Sequence, residues 1–553
     1  MLTTTARSAL GRAFLCAVLP LLSPLALYAE EPIDWGMVNR IRNQGLGRSH
    51  VMETLGHLTD GIGARLTGSP GMRASNDWTR ERLAEWGLGN AVVERWGRFG
   101  RGWSFDRSVV HLLRPHAAPL HALPEAWTPG TAGPVRGLAL RVTLEDEEDF
   151  DEHRGTLRGK VLFLDEERDA DPAERPEFRR YTVEELEELT EFPISRRRDR
   201  DESRRRAVER RRIGRALREY LAAEGVLATV EVSGWGAGIV RVGGGGSREP
   251  GEETGPPSLV MAAEHYGWVV RLLEAGEEVE LEIDVGARFH DDDLDGYNTL
   301  AEIPGTDRGD EVVMAGAHLD SWHAATGAND NAAGCAVVME AARILHVLGV
   351  RPRRTIRIAL WSGEEQGLLG ARAYVERHFA SRPEPLDPEL RALPKSLWPT
   401  TWPLRLEPAH AKLSAYFNID NGSGKIRGIY TQGNVAVGPI FERWLLPFRD
   451  LGADTVTHRG TGSTDHVAFD AVGLPGFQFV QDGLDYGTRT HHSHLDHYDH
   501  AVEEDLEQAS VVLASFLYHA AMRDELLPRG PLPQPPADYE ETTGSESTGT
   551  ALE

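Results

Sequence analysis

Hydrophobic and polar positions follow two different rhythms along the chain, and the change falls near residue 290. Beyond it, short apolar runs alternate with longer stretches in which apolar residues recur every three or four positions. VVMAGAH (312–318), TIRIALW (355–361), LSAYFNID (413–420) and GFQFVQ (476–481) are runs of the first kind and predict buried strands, apolar on both faces. NAAGCAVVMEAARILHVLG (331–349), QGLLGARAYVERHF (366–379), AVGPIFERWLLPF (436–448) and EEDLEQASVVLASFLYHAAMRDE (503–525) are of the second kind and predict helices with one apolar face. Strand and helix in alternation predict an α/β domain over 286–526, built on a mostly parallel central sheet flanked by helices.

Before residue 290 the pattern is more broken. Residues 30–105 show helical patterning around 49–58 and 72–86, with GARLTGSPG (63–71) as a loop. From about 106 to 285 the character changes to short strand-like runs, such as GKVLFLD (159–165) and LATVEVS (227–233). Between them lies a charged stretch, 166–219, containing RRRDRDESRRRAVERRRIGRALREYL at its end. Acids are interleaved with the arginines, and Ile213, Leu217, Tyr220 and Leu221 form a narrow apolar seam, so a solvated helix is expected. Aromatic residues for base stacking are scarce there, which speaks against a nucleic-acid partner. GGGGS (243–247) is expected to be a flexible loop, since no phosphate-binding pattern follows it. Residues 527–553 are rich in Pro, Gly, Ser, Thr and Glu and are expected to be disordered.

Composition narrows the class. At 553 residues the chain is too long for one core, and 40% hydrophobic with 26% charged residues is an ordinary globular balance. A net charge of −26 opposes binding to nucleic acid or an anionic membrane. The first 29 residues have Arg7 and Arg12, then AFLCAVLPLLSPLALY broken by Pro20 and Pro24, then Ala29 before EEP. That is the pattern of a secretory signal cleaved after Ala29, too short and interrupted for a membrane anchor. An exported, periplasmic or extracellular protein is expected, and loss of the two arginines takes the net charge from −26 to −28. Cys16 falls in the leader, leaving Cys335 without an internal partner, so stability must come from packing or bound metal.

The chemistry lies where the predicted strands end. His318 and Asp320 follow one strand, Glu364 and Glu365 another, Asp420 closes a third and His492 lies beyond a fourth. Asp330 heads a helix beside His318. Taken singly, each has an ordinary reading as a cap, a turn former or a solvated acid. Together they place acids and histidines from four strands at one sheet edge, where α/β sheets bind ligands. Three carboxylates and two imidazoles suit zinc, and one Asp can bridge a pair of metals about 3.5–4 Å apart. One member of the Glu364–Glu365 pair is then free to act as a base while the other binds metal. Asp320 is placed to orient His318, and Asp496 to orient His492.

AGAHLDSW, GANDNAAG, LWSGEEQGLLGARAYV, YFNIDNGSG and THHSHLDHYDH resemble, in order, the five metal-site motifs of the M28 family of zinc exopeptidases. The stretch GYNTLAEIPGTDRGDEVVMAGAHLDSWHAATGANDNAAGC, with RLTGSPG and TDHVAFDAVGLPGFQF, is similar to the plasma glutamate carboxypeptidase (carboxypeptidase Q) branch. The resemblance covers most of 34–526 and is weak in 166–219. It implies two zincs per chain, with Asp330 bridging, His318 and Asp420 on one metal, Glu365 and His492 on the other, and Glu364 as general base. It also implies that 30–105 opens the peptidase domain, that 106–285 is an inserted protease-associated domain, and that dipeptides or terminal residues of short peptides are cleaved. A homodimer fits the resemblance, though no sequence feature establishes one. One departure is His497, where the family often has Thr. His491 competes with His492 as ligand, and His491, Asp465 and His466 are candidates for the substrate pocket.

Two other enzymes fit less well: a single-zinc glutaminyl cyclase-like acyltransferase and an M20-type amidohydrolase. A non-enzymatic binding protein on the same fold would have lost ligands or the base, and none is missing. DDDLDGYNTLAE (291–302) matches the acidic spacing of a calcium loop, but Asn298 replaces an apolar residue and the segment after Tyr297 reads as a strand. Cys335, Trp361 and Phe417 are expected in the core, and His323 in a loop at the pocket or holding structure.

Overall fold

The computed structural model describes residues 30–168, 177–192, 200–393, 395–536 and 539. The leader expected over 1–29 lies outside them, as does 540–553. Ile33–Glu553 form one compact unit.

Two eight-stranded sheets organise it. The first runs in the order Gly89–Arg98, Asp295–Ile303, Arg354–Trp361, Arg308–His318, Leu413–Asn418, Gly476–Gln481, Ile426–Tyr430, Thr455–Thr457. Its four central strands, 354–361, 308–318, 413–418 and 476–481, are parallel, as their two-faced apolar character predicts. Both faces are covered. The helices Ala333–Val347 and Glu503–Met522 pack on one side with Ile356, Ile358 and Phe417. Leu369–His378 and His466–Asp470 pack on the other around Trp361, Tyr416 and Phe469. Trp361 and Phe417 are core residues as expected, and Cys335 is fully buried.

The second sheet is inserted between strands 89–98 and 295–303 of the first. Its order is Ala118–Leu120, Gly102–Arg114, Glu280–His290, Val135–Arg141, Lys160–Phe163, Ala228–Val232, Ser258–Met261, Ala122–Pro124. The long antiparallel pair 102–114 and 280–290 carries the chain into and out of this insert, slightly wider than the 106–285 read from the pattern.

Within the charged stretch, Arg200–Glu224 is a helix whose seam meets the insert: Leu221 is buried and Tyr220 stacks on Phe150. The part before it, residues 177–191, is largely exposed but tied to the loop after strand 476–481 and to the helix Glu503–Met522. Arg179 N–H donates to Leu484 O at 2.9 Å, and Arg180 reaches Asp482 and Asp505 at 2.9 and 2.6 Å. Two buried carboxylates whose charge needs a partner explain the docking. GGGGS is not a free loop either: a Cβ on Gly246 would lie 1.7 Å from Trp127 O, so the backbone passes too close for any side chain. The tail begins in place, with Leu527 buried and its N–H on Ser414 Oγ. Residues 295–303 form the strand predicted after Tyr297, and Asp291, Asp293 and Asp295 pair with Arg101, Arg73 and Arg95.

Candidate metal centre

The carboxyl ends of the parallel strands deliver the predicted residues to one place. His318 ends its strand, and its Nδ1 lies 2.9 Å from the backbone carbonyl of Asp320. That contact leaves Nε2 facing inward, 3.3 Å from Asp330 Oδ1 and 3.3 Å from Asp420 Oδ1. On the other side, His492 Nε2 lies 3.2 Å from Asp330 Oδ2 and 2.9 Å from Glu365 Oε2. The two oxygens of Asp330 therefore serve two separate triangles of donors, one with His318 and Asp420 and one with His492 and Glu365. Donors on a tetrahedral cation with bonds of about 2.0–2.1 Å sit roughly 3.3 Å apart, close to the 3.3 Å contacts of His318 and the 3.2 and 2.9 Å contacts of His492. Glu365 Oε1 is buried without a hydrogen-bond partner, and Asp330 Oδ2 is buried with only the His492 ring beside it, so lone pairs remain for a cation.

His491 is set apart. Its Nε2 is 3.8 Å from Asp330 and makes no ion-pair contact with Glu365, while its ring lies against His492 and Tyr486. Asp330, His491 and His492 offer ligand atoms within 4.8 Å of one another, and of the two imidazoles His492 makes the shorter contacts, with Asp330 and Glu365. His492 has φ of 60°, a conformation costly for a residue with a Cβ and concentrated at functional sites.

The supports differ from those read in the sequence. Asp320 does not orient His318 through its carboxylate, which is 3.7 Å away; its backbone carbonyl does so. The carboxylate instead accepts from the N–H groups of Glu364 and Glu365, both at 3.3 Å, and from Thr67 Oγ1 at 3.0 Å, fixing the turn that presents both glutamates. Asp496 does not hold His492. It accepts from the N–H groups of Asn329 at 2.7 Å and Asp330 at 3.1 Å, so it positions the shared aspartate. Arg65, singled out by nothing in the sequence beyond its RLTGSPG context, is fully buried and donates to the carbonyls of Leu319, Leu58, Gly63, Thr326 and Gly327. It ties together the loop from His318 to Asp330. Cys335 donates its Sγ–H to His318 O.

Electrostatics show a centre ill at ease on its own. Burial works to raise Asp330, but hydrogen bonds from His318 and His492 outweigh it and hold it well below the usual carboxylate range. Burial and the nearby Asp330 push Glu365 up to about 7. Burial opposes the charge of His492, yet Glu365 and Asp330 raise it to about 10. Glu364, outside both triangles, is driven well up by burial, with His318 opposing and Asp420, Asp465 and Glu365 adding to the rise. Asp465 is fully buried, and neither of its oxygens has a partner. His466 is buried against Gln432 and Thr461 O. His323 is not at an open pocket: its Nε2–H bonds Pro124 O at 2.8 Å and its ring packs on Trp103 and Phe105.

Carboxylates and imidazoles gathered with open lone pairs at the carboxyl edge of a parallel sheet define a metal-dependent hydrolase. Residues 298–517 match Peptidase family M28, and with the relatives below this makes the chain a metallopeptidase. It is 26% identical to carboxypeptidase Q of Mus musculus over 488 residues, spanning 88% of each chain. With other mammalian carboxypeptidase Q sequences the aligned stretch spans 49% of this chain and 51% of theirs. Among solved structures, a peptidase M28 precursor from Shewanella amazonensis SB2B matches with TM-score 0.61 at 23% identity, covering 90% of this chain and 99% of that one. BSAP, a zinc aminopeptidase from Bacillus subtilis, matches with TM-score 0.51 at 18% identity over 86% and 95%. These two establish the shared fold.

Proposed function

We propose that the protein is an exported two-zinc exopeptidase that hydrolyses dipeptides or removes terminal residues from short peptides. The observation that carries this reading is the division of Asp330 between two donor triangles, each with the spacing of a tetrahedral cation. In this reading His318 and Asp420 would hold one zinc and His492 and Glu365 the other, with Asp330 shared between them. The leader pattern of residues 1–29 supports export, and the second sheet serves as a protease-associated-like domain.

When bound, the zinc pair lowers the pKa of a water to about 7 and polarises the scissile carbonyl. Glu364 takes a proton from the attacking water and gives it to the leaving amine. Its backbone N–H on Asp320 fixes where that carboxylate starts from. Asp496 and Arg65 hold the Asp330 loop against movement during the reaction.

The test is metal content per chain together with hydrolysis of a dipeptide panel, with and without chelator. Two zincs per chain and chelator-sensitive cleavage are expected. One tight zinc per chain, as in a glutaminyl cyclase-like enzyme, or hydrolysis indifferent to chelator, would sink the reading.

A further inference from the structure

A cavity of about 580 Å³ lies apart from the metal centre, and no donor of either triangle lines it. One wall is the first two turns of the helix Pro70–Glu85. The other is the segment 290–297, which brings the chain back from the insert. Buried Thr67 and Ser362 also line it. Thr67 Oγ1 accepts from Gly363 N–H at 3.0 Å and donates to Asp320 Oδ2 at 3.0 Å. The cavity therefore backs onto the turn that presents Glu364 and Glu365. Its volume is that of a small-molecule site, roughly 300–1,000 Å³.

Its polar groups fall into two sets. The buried set consists of donors. Asn76 is 1% exposed, and its Oδ1 accepts from Thr299 Oγ1 at 2.9 Å. Its Nδ2 donates to no protein atom among the described residues, and a buried amide donor is costly to leave unmatched. The buried hydroxyls of Ser69 and Ser362 accept from Met72 N–H at 3.1 Å and Trp96 Nε1–H at 2.8 Å, which leaves each O–H free to donate. Ser69 also caps the helix, whose N-terminus favours negative charge. The exposed set consists of acids. Asp77 and Asp292 line the cavity and have no ion pair or hydrogen bond among the described residues. Its other acids are already matched: Asp293 with Arg73 and the Tyr297 hydroxyl, Asp295 with Arg95. A divalent cation would find two exposed carboxylates where it needs six or more oxygens.

We infer that this cavity is a second, non-catalytic site that binds a small zwitterion of the amino-acid class. The ligand's carboxylate takes the buried donors, Asn76 Nδ2 and the hydroxyls of Ser69 and Ser362. Its ammonium takes Asp77 and Asp292. Charge-assisted hydrogen bonds of both signs are the strong ones, so each end contributes. Asn76 and Asp77 are consecutive, with Cα atoms about 3.8 Å apart, the scale that separates the two charges of an α-amino acid. Pro70, Met72 and Ala74 supply apolar surface for an aliphatic side chain. The proposed peptidase would release compounds of this class, but the binding assignment does not depend on that reading.

The experiment titrates zinc-loaded protein with leucine, leucinamide and isocaproate by calorimetry. Leucinamide lacks the carboxylate and isocaproate lacks the ammonium. Wild type should bind leucine saturably and each of the other two at least about tenfold more weakly, the worth of one charge-assisted hydrogen bond. The double variant Asp77→Asn with Asp292→Asn changes exposed side chains only. It should keep its zinc, bind leucine about tenfold more weakly, and no longer prefer leucine to isocaproate. Leucine could also bind a zinc pair, so Asp330→Asn, which should lose metal, is titrated as well and should keep wild-type affinity. No saturable leucine binding, equal binding of the three compounds, undiminished affinity in the double variant, or loss of binding in Asp330→Asn each overturns the assignment. Calcium bound by wild type and lost in the double variant would overturn it too. Because the readout is binding, a failure to cleave any peptide counts against the peptidase reading alone.

Discussion

At the edge of the first sheet, Asp330, Glu365 and Asp420 converge on His318 and His492; within the second sheet, Glu125 and Glu231 converge on each other. Both groups are buried, and both would be costly if left charged and unmatched. At the first, imidazoles hold Asp330 ionised, and oxygens of Asp330 and Glu365 stay open. At the second, Glu125 Oε2 accepts from Ser258 Oγ at 2.7 Å, burial raises Glu125, and Glu125 with burial pushes Glu231 up to about 8. No imidazole or cation faces that pair among the causes of its shift. In the proposed reading the same residue type is prepared in one place to receive a metal ion and in the other to keep a proton.

Substitutions at the first group should have the largest effects. Glu364→Gln should retain zinc and cut turnover by about 10²–10⁴, the usual worth of a general acid–base group. Near-normal kcat would remove Glu364 from its role. Asp330→Asn should lose metal as well as activity. Outer-shell partners alone are worth about 10–100-fold in metal affinity, so the shared ligand should exceed that. Two zincs retained at wild-type affinity would contradict the bridging assignment. Glu231→Gln is the control in the other sheet, and its zinc content should not change.

Glu231→Gln should act on stability instead. The folded state holds a proton on Glu231 that the unfolded chain, with an ordinary carboxylate, has lost above about pH 4.5. Stability from this group is therefore present at low pH and lost as pH rises through about 8. The variant needs no proton, so its advantage over wild type should grow with pH and reach on the order of a few kcal/mol near pH 9. Denaturant unfolding at pH 6 and pH 9 measures it, and an advantage independent of pH would show that Glu231 is charged when folded.

The first sheet was legible because its strands are buried on both faces and its helices carry one apolar stripe, so periodicity alone separates them. The gathering of His318, Asp330, Glu365, Asp420 and His492 at one sheet edge was legible because strand ends are fixed points in such a sheet. What holds the ligands was not. Asp320 and Asp496 were read as partners of the nearest histidine, but chain proximity says nothing of which backbone N–H a carboxylate meets. Here Asp320 meets Glu364 and Glu365, and Asp496 meets Asn329 and Asp330. Arg65 escaped for the same reason, since it acts across more than 200 residues of chain. The tie of 177–191 depends on Asp482 and Asp505, and charge composition names no partner.

The smallest expected effect is at His323, which joins the two regions compared above. Its loop leaves the metal-centre strand, and its Nε2–H bonds Pro124 O in the insert. Burial lowers it to about 4, with the Pro124 bond opposing, so the folded protein keeps it neutral. Between that value and the unfolded value of about 6.5, only the unfolded chain takes up the proton. Stability from this group is thus complete above about pH 6.5 and is lost as pH falls toward 4, with a slope of roughly 1.4 kcal/mol per pH unit at most. His323→Gln keeps a donor for Pro124 but cannot be protonated. It should cost about 1 kcal/mol at pH 7 and lose less than wild type between pH 6.5 and pH 5. Unfolding by urea at the two pH values gives the difference directly, and parallel losses in both proteins would mean that His323 does not carry the acid sensitivity of this junction.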